Sequence, residues 1–354
     1  MKKTLFAALA LVSMASCSNE DVLEVAQKEA IGFENAFVNN STRSMYDPSF
    51  SSAENGKMFS NFQVYGFVAD SDLFGADGTT VSGSGLGANG NWTYTETQYW
   101  INGAKYNFAA VAPATGWVVK NGTTTTKNQV TLVVTNDGEN DVLYAHSGEI
   151  TGQASDNAKV AFTFNHILSK VKFSFKNSYN ASNTKIRVRD IKIIDAYKEG
   201  KVVLSSQTAT NDETLSSGVA TWSEQSKKEL VLNFGNAATS AVDAEENIAV
   251  NGTIESYNEL LLIPGQDTYN VTFIVDVVVD DVVVKTYENH KATINHNFVA
   301  GLSYDINAEI TSMNIDTDDP NGQESIQFTV TAINDWDNPN GSTTDINASV
   351  NTNK

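Results

Sequence analysis

The chain has 354 residues, of which 41% are hydrophobic and 10% aromatic, and it carries a formal net charge of -19. This composition is typical of a globular protein and not of an acidic disordered tail. Because phosphate binding needs a basic face, the charge argues against a nucleic acid partner. The single cysteine excludes an internal disulfide, and the length predicts two domains.

The N-terminus is typical of an exported protein. Residues 1–16 combine two lysines, an apolar run and a pair of small residues, which predicts a secretory signal peptide. Cys17 follows at once, and Met14-Ala15-Ser16-Cys17 resembles a bacterial lipobox, whose cysteine is lipidated. Acyl chains on Cys17 would hold the protein at the outer membrane without a spanning helix. The alternative is a soluble secreted protein with a chance cysteine.

After a polar tether, the segment AIGFENAFVN predicts a strand set apart from the body. Its apolar residues Ile31, Phe33 and Phe37 lie on one side of an extended chain. Residues 39–56 are rich in Asn and Ser, which predicts an exposed loop. Of the three arginines, Arg43 alone lies in such a loop, whereas the other two lie inside a strand pattern.

From residue 61 onward, short runs rich in β-branched and aromatic residues alternate with turn residues. They predict strands near 61–68, 104–111, 130–135, 141–145, 160–177, 185–196 and 269–294. Strands so evenly spaced favour an all-β fold of sandwiches, with a domain boundary near residue 158.

Three local patterns refine this prediction. Within 160–177, inward Val171, Phe173 and Phe175 alternate with outward Lys170, Lys172 and Ser174. Within 269–294, Asp280-Asp281 predicts a hairpin turn. Only scattered stretches favour a helix, chiefly 239–248.

The search for catalytic chemistry finds little. The four histidines form no zinc-binding pair, and His166 lies in a strand pattern, where a packed or hydrogen-bonded histidine is favoured. No serine lies in a nucleophile elbow, and nothing selects a carboxylate pair. The acidic residues of 316–324 approach a calcium loop, but Pro320 occupies a ligand position and favours a plain linker. We therefore expect no catalytic residue, metal or cofactor.

An aromatic cluster admits two interpretations. Trp92, Tyr94, Tyr99 and Trp100 would form a platform for sugar rings if exposed, or part of a sandwich core if buried. Alternate aromatic residues fit strands that face a second sheet, so we favour the core.

The last predicted strand is a candidate for exchange between subunits. In 325–336, Ile326, Phe328 and Val330 alternate with polar residues after a hinge-like stretch. A sandwich that loses a strand exposes a groove and unpaired backbone groups, which another strand can fill. The segment is either such a donor or an ordinary final strand of the second domain.

Taken in order, several segments resemble the fimbrillins, the type V pilins of Bacteroidota. They are Cys17, Thr42-Arg43-Ser44, FNHILSKVKF (164–173), ELLLIPG (259–265) and FVAGLSYDINAEI (298–310). The resemblance implies two transthyretin-like β-sandwich domains in tandem and a structural pilin, not an enzyme.

The resemblance also implies how the chain is processed. We expect a signal peptide at 1–16, a lipidated propeptide with the first strand at 17–43, an N-terminal domain at 44–158 and a C-terminal domain at 159–354. An extracellular Arg-specific protease would cut between Arg43 and Ser44. Other fimbrial subunits would then accept the donor strand, and the protein would pass from the outer membrane into a surface fimbrium used for adhesion. The alternative is a surface lipoprotein that binds glycan and does not polymerise.

Overall fold

The protein is described by a computed structural model in which nearly all regular structure is β-strand, so the predicted all-β fold is confirmed. The structure describes residues 29–38, 50–51, 58–59, 61–68, 71–84, 91–114, 117–120, 129–152, 159–179, 181, 183–205, 220–231, 247–255, 259–315, 326–333 and 343–346. Within these ranges no helix has the length and apolar character needed to cross a bilayer.

The elements follow one another in short strands. The first twelve are β1 (Gly32–Val38), β2 (Phe50–Ser51), β3 (Met58–Phe59), β4 (Asn61–Val68), β5 (Ser71–Asp72), β6 (Thr79–Ser84), β7 (Asn91–Thr93), β8 (Lys105–Ala112), β9 (Trp117–Lys120), β10 (Gln129–Thr135), β11 (Leu143–Thr151) and β12 (Lys159–His166). The others are β13 (Ser169–Ser178), β14 (Thr184–Ser205), β15 (Ala220–Val231), β16 (Thr253–Glu255), β17 (Leu260–Leu262), β18 (Thr268–Val279), β19 (Val282–Asn295), β20 (Ser303–Thr311), the single-turn helix α1 (Ser312–Ile315), β21 (Phe328–Ile333) and β22 (Thr343–Ile346).

Sheet A is built from the N-terminal strands in the order β1-β12-β11-β8-β4-β6-β7, with β5 paired to β4. The strand β1 runs parallel to β12, whereas the other pairs are antiparallel. One face of the sheet buries a core rich in aromatic rings. Because β1 and β7, at opposite ends of this order, also contact each other, sheet A curls around that core.

Sheets B and C form the second packed body. Sheet B has the order β19-β18-β14-β10-β9, with β15 paired to β14, and sheet C has the order β16-β13-β20-β21-β22, with β17 paired to β13. Side chains from both sheets meet in one core. Val171, Phe173 and Phe175 belong to it, as their alternation predicted.

The strand β14 connects the two bodies. It is 22 residues long, and its first part pairs with β18 while its last part pairs with β10. Val202, near its end, packs with Val130 and Leu132 of β10 against Tyr65 and Tyr144 on the second face of sheet A. Sheet B therefore covers both sheet C and sheet A.

The predicted boundary near residue 158 precedes β12, whose eight residues belong to sheet A. Val160, Phe162 and Phe164 of β12 pack in the core of sheet A. The chain passes from sheet A to sheet C at Ile167 and Leu168, between β12 and β13. The strands on either side of this position, β11 and β12, belong to the same sheet. A polar stretch of sequence looks the same whether it joins strands or domains.

Two further local predictions have clear outcomes. Asp280 and Asp281 both adopt positive φ (50° and 62°) in the connection between β18 and β19, as a two-residue hairpin turn requires. Lys170, which was predicted to face solvent, is instead only 6% exposed, and its Nζ lies 3.4 Å from Glu259 Oε2. A buried ammonium group needs such a partner.

The remaining predictions fall largely outside the described residues. The predicted helix at 239–248 overlaps them only at its end, where Ile248 forms a bridge with Ile186 and is not helical. The acidic residues of 316–324 are not among the described ones.

Candidate functional site: the first strand and its groove

The first strand is held in sheet A by backbone hydrogen bonds on both sides. On one side, β1 pairs with β12 from Gly32 opposite Lys159 to Val38 opposite Phe164, with an irregularity between Glu34 and Phe37. On the other side, the residues just before β1 bond to the segment 98–100. There, the Ile31 amide donates to the Gln98 carbonyl (2.8 Å) and the Trp100 amide donates to the Glu29 carbonyl (2.9 Å).

Phe33 anchors the strand in a pocket of aromatic rings. Its side chain is 2% exposed. Five rings lie around it, with centroids 5.4 to 6.4 Å away: Phe62, Phe74, Tyr94, Phe108 and Phe162. Most of these contacts are edge-to-face, the geometry that aromatic pairs prefer. Ile31, which is 1% exposed, packs in the same core.

Tyr94 closes the groove over the strand. Its hydroxyl donates to the Ile31 carbonyl (2.7 Å) and accepts from the Gln98 amide (3.1 Å). Burial raises the pKa of Tyr94, against the lowering effect of the Gln98 hydrogen bond, so the hydroxyl keeps the proton that it donates. Sequence reasoning assigned Tyr94 to the core and missed this bond, because the partner is a backbone carbonyl 63 residues away.

The predicted donor residues lie in the other body. Ile326 (3% exposed), Phe328 (2%) and Val330 (0%) are buried in the core between sheets B and C. The Phe328 ring lies 5.8 to 5.9 Å from the rings of Phe173, Phe175 and Phe273. The strand β21 pairs with β20 on one edge and β22 on the other. The predicted first strand and the predicted donor strand therefore occupy separate sheets in this single chain.

The processing residues lie outside the described ranges. They are Cys17, Arg43 and Ser44. Phe37, the third apolar residue predicted for the first strand, lies in β1 with its backbone opposite Thr163. The other two arginines lie in β14, where Arg189 Nε donates to Asp276 Oδ2 (2.9 Å) and Arg187 Nε donates to Asn247 Oδ1 (3.1 Å). Their place within a paired strand agrees with the pattern that set them apart from Arg43.

The aromatic cluster belongs mainly to the core, as favoured. Trp92 (9% exposed) and Trp100 (6%) are buried in the core of sheet A, and Tyr94 packs against the same core. Tyr99 is the exception, because it is 45% exposed. It alternates with Trp100 on a segment bordering the sheet, so its side chain points away from the core. A flat platform of four stacked rings is therefore absent from this segment.

His166 is a packed, hydrogen-bonded histidine, as predicted. It is 3% exposed, and its Nδ1 bonds to Asp141 Oδ2, while Asp141 Oδ1 accepts from the Val142 amide (2.8 Å). This pair lies where the chain leaves sheet A for sheet C. Sequence reasoning did not find Asp141, because no spacing rule connects residues of different strands. Within the described residues, no group of His, Cys, Asp and Glu could hold a metal ion.

The chain is similar to several solved structures. A candidate cell adhesion protein from Bacteroides uniformis shares 16% identity, with 88% of this chain and 99% of that chain covered and a TM-score of 0.46. A second, from Bacteroides ovatus, shares 18% identity over 88% and 98% of the two chains, with a TM-score of 0.42. The fimbrial anchor protein Mfa2 from Porphyromonas gingivalis shares 10% identity over 90% and 98%, with a TM-score of 0.42.

No curated protein matches the chain. The fimbrillin-like family model matches residues 49–336, which is most of the sequence. The chain therefore belongs to the fimbrillin-like family.

Proposed function

We propose that this protein is a structural subunit of a surface fimbrium that assembles by strand exchange. In this proposal, Cys17 is lipidated on export, a protease cuts between Arg43 and Ser44, and β1 leaves sheet A. An extended segment of another subunit then fills the vacated groove. The observation that supports this most directly is the burial of Phe33 among five aromatic rings by a strand at the start of the chain.

Loss of β1 would leave a surface that needs a new occupant. Burial of one large apolar side chain stabilises by about 1.5–3 kcal/mol, so an emptied pocket around Phe33 and Ile31 is costly. The edge of β12 would also lose the backbone partners that β1 provides. Arg43 follows Val38, the last residue of β1, by five positions, so a cut there separates the strand from the rest of the chain.

The C-terminal strand β21 is the proposed donor. Ile326-Gln327-Phe328 repeats the spacing of Ile31-Gly32-Phe33, and a groove with alternate pockets selects such spacing. In the single chain β21 is already buried, so donation requires that it leave sheet C. Among the described strands of that sheet, it lies near one end, with β22 beyond it. While β1 is covalently attached, its high effective concentration keeps other strands out.

The test is whether assembly depends on cleavage at Arg43. We expect the precursor, after treatment with an Arg-specific protease, to begin at Ser44 and to form an SDS-resistant ladder on gels. Arg43→Ala should remain uncut and monomeric. Arg43→Lys is the matched control, because it should resist the Arg-specific protease but regain the ladder after limited trypsin treatment. Unimpaired assembly of Arg43→Ala would contradict the proposal.

A further inference from the structure

A trough lies on the outer face of sheet C, away from the groove of β1. Its volume is about 520 Å³, which is within the usual range for small-molecule sites, about 300–1,000 Å³. The strands β16, β13, β20 and β21 cross its floor, and α1 forms one wall. At about 4.8 Å between neighbouring strands, the floor is on the order of 15 Å across.

Short polar side chains form the floor of the trough. Ser174 of β13 lies opposite Asn307 of β20, and Asn307 lies opposite Thr329 of β21. Their inward neighbours Phe175, Ile306 and Phe328 are buried in the core, so the pleat directs these three residues outward. The row therefore presents hydroxyl and amide groups, which both donate and accept hydrogen bonds.

The charges in the trough compensate each other. Among the described residues that line it, Lys176 and Glu309 are the charged ones, and Lys176 Nζ lies 3.2 Å from Glu309 Oε1. The Ser178 hydroxyl also bonds to Glu309. The hydrogen bond from Ser178 and, after it, the one from Lys176 lower the pKa of Glu309. The Lys176–Glu309 pair therefore stays charged, and the two charges balance. A trough without excess charge offers little attraction to an ionic ligand.

In the middle of the trough, at β13 and β20, the backbone is closed to an added strand. Among the described residues, β13 pairs with β20 on one edge and with β16 and β17 on the other, and β20 pairs with β13 and β21. A peptide that binds by strand addition needs a free sheet edge. Recognition here must therefore use side-chain hydroxyl and amide groups.

From these observations we propose that the trough binds a neutral oligosaccharide. Sugar hydroxyl groups both donate and accept, which matches Ser174, Asn307 and Thr329. The Met313 side chain, 56% exposed on α1, lines the same trough and offers an apolar surface for the C–H face of a pyranose ring. The site belongs to the uncleaved single chain, in which β21 is part of sheet C. Donation of β21 to another subunit would remove Thr329 from the trough.

The test measures binding to the purified full chain without protease treatment. The probes are neutral glucose and mannose trisaccharides, an anionic uronic-acid oligosaccharide and an unrelated extended peptide, followed by saturation-transfer NMR. We expect the neutral trisaccharides to bind, and Thr329→Ala to weaken this binding about fivefold, the effect of one lost hydrogen bond. Asn307→Ala should weaken it at least as much.

Thr331→Ala is the matched control, because Thr331 lies on the same strand and face as Thr329 but opposite Asp305, outside the trough. It should leave binding unchanged, and so should Tyr99→Ala in the aromatic segment. Both threonine variants should keep the wild-type circular dichroism spectrum. The proposal is wrong if the two threonine variants lose binding equally, or if binding is lost only in Tyr99→Ala. It is also wrong if only the anionic probe or the peptide binds, or if nothing binds.

Discussion

At the scale of single residues, burial decides what each aromatic side chain does. Phe33 and Trp100 are buried in the core of sheet A, whereas Tyr99 is 45% exposed, although the three belong to similar alternating segments. Sequence reasoning identified Phe33 as an inward residue from its spacing. It could not predict that Tyr99 differs from its neighbours. The segment borders the sheet with one face toward the core and the other toward solvent, and the sequence does not show which residues lie on which face.

Phe33→Ala tests the anchor role directly. We expect it to lower the free energy of unfolding of the precursor by about 3–5 kcal/mol, since it leaves a cavity among five rings. Chemical denaturation followed by circular dichroism measures this change. Tyr99→Ala, which truncates an exposed ring, should cost less than about 1 kcal/mol. Similar losses in both variants would argue against a tightly packed groove around β1.

At the scale of elements, strand position was easier to predict than strand partner. The prediction for 61–68 coincides with β4, and Asp280-Asp281 forms the expected hairpin. By contrast, β12 joins sheet A, and β9 and β10 join sheet B with β14. Alternation is a local property of a strand, but its partner is chosen by packing between residues far apart in sequence.

Removal of residues 324–354 tests the donor strand. The truncated chain lacks β21 and β22, so after cleavage at Arg43 it should accept a strand but donate none. Alone it should form no SDS-resistant ladder, and mixed with intact cleaved subunit it should shorten the ladder. Because Ile326, Phe328 and Val330 are buried in the single chain, we also expect a lower free energy of unfolding.

A chain that lacks only residues 334–354 is the control for this deletion. It keeps β21 and loses β22, so it should still form a ladder. If the chain without β21 polymerises alone as well as the intact chain does, β21 is not the donor.

At the scale of the whole molecule, histidines in both bodies make stability depend on pH. Burial lowers the pKa of His146, His290 and His296 below the ordinary value of 6.5. The unfolded chain then binds more protons than the folded chain as the pH falls through 6.5. We expect the free energy of unfolding to be largest well above pH 6.5 and to decrease as the pH falls through about 6.5 toward the lowered pKa values. Denaturation at a series of pH values measures this change.

His290→Phe should reduce this pH dependence. The His290 ring stacks on Phe273 with centroids 5.4 Å apart, so a phenyl ring can keep the contact without a titrating group. An unchanged slope as the pH falls through about 6.5 would show that His290 does not contribute.

Anchoring of the precursor depends on Cys17 in our proposal. Metabolic labelling with a palmitate analogue should mark the wild-type chain and not Cys17→Ala, because the chain has no second cysteine. The variant should also be lost from the membrane fraction, since acyl chains supply the membrane affinity. Equal labelling of both chains would contradict lipidation at this residue.

The sequence by itself determined the strand-rich fold, the inward and outward faces of many strands, the hairpin at Asp280-Asp281 and the family resemblance that the comparisons confirmed. Each depends on residue types a few positions apart. Only the tertiary structure decided that β14 belongs to both bodies, that Tyr94 bonds to Ile31, and that His166 pairs with Asp141. These contacts join segments that are distant along the chain, and the packing of whole sheets brings them together.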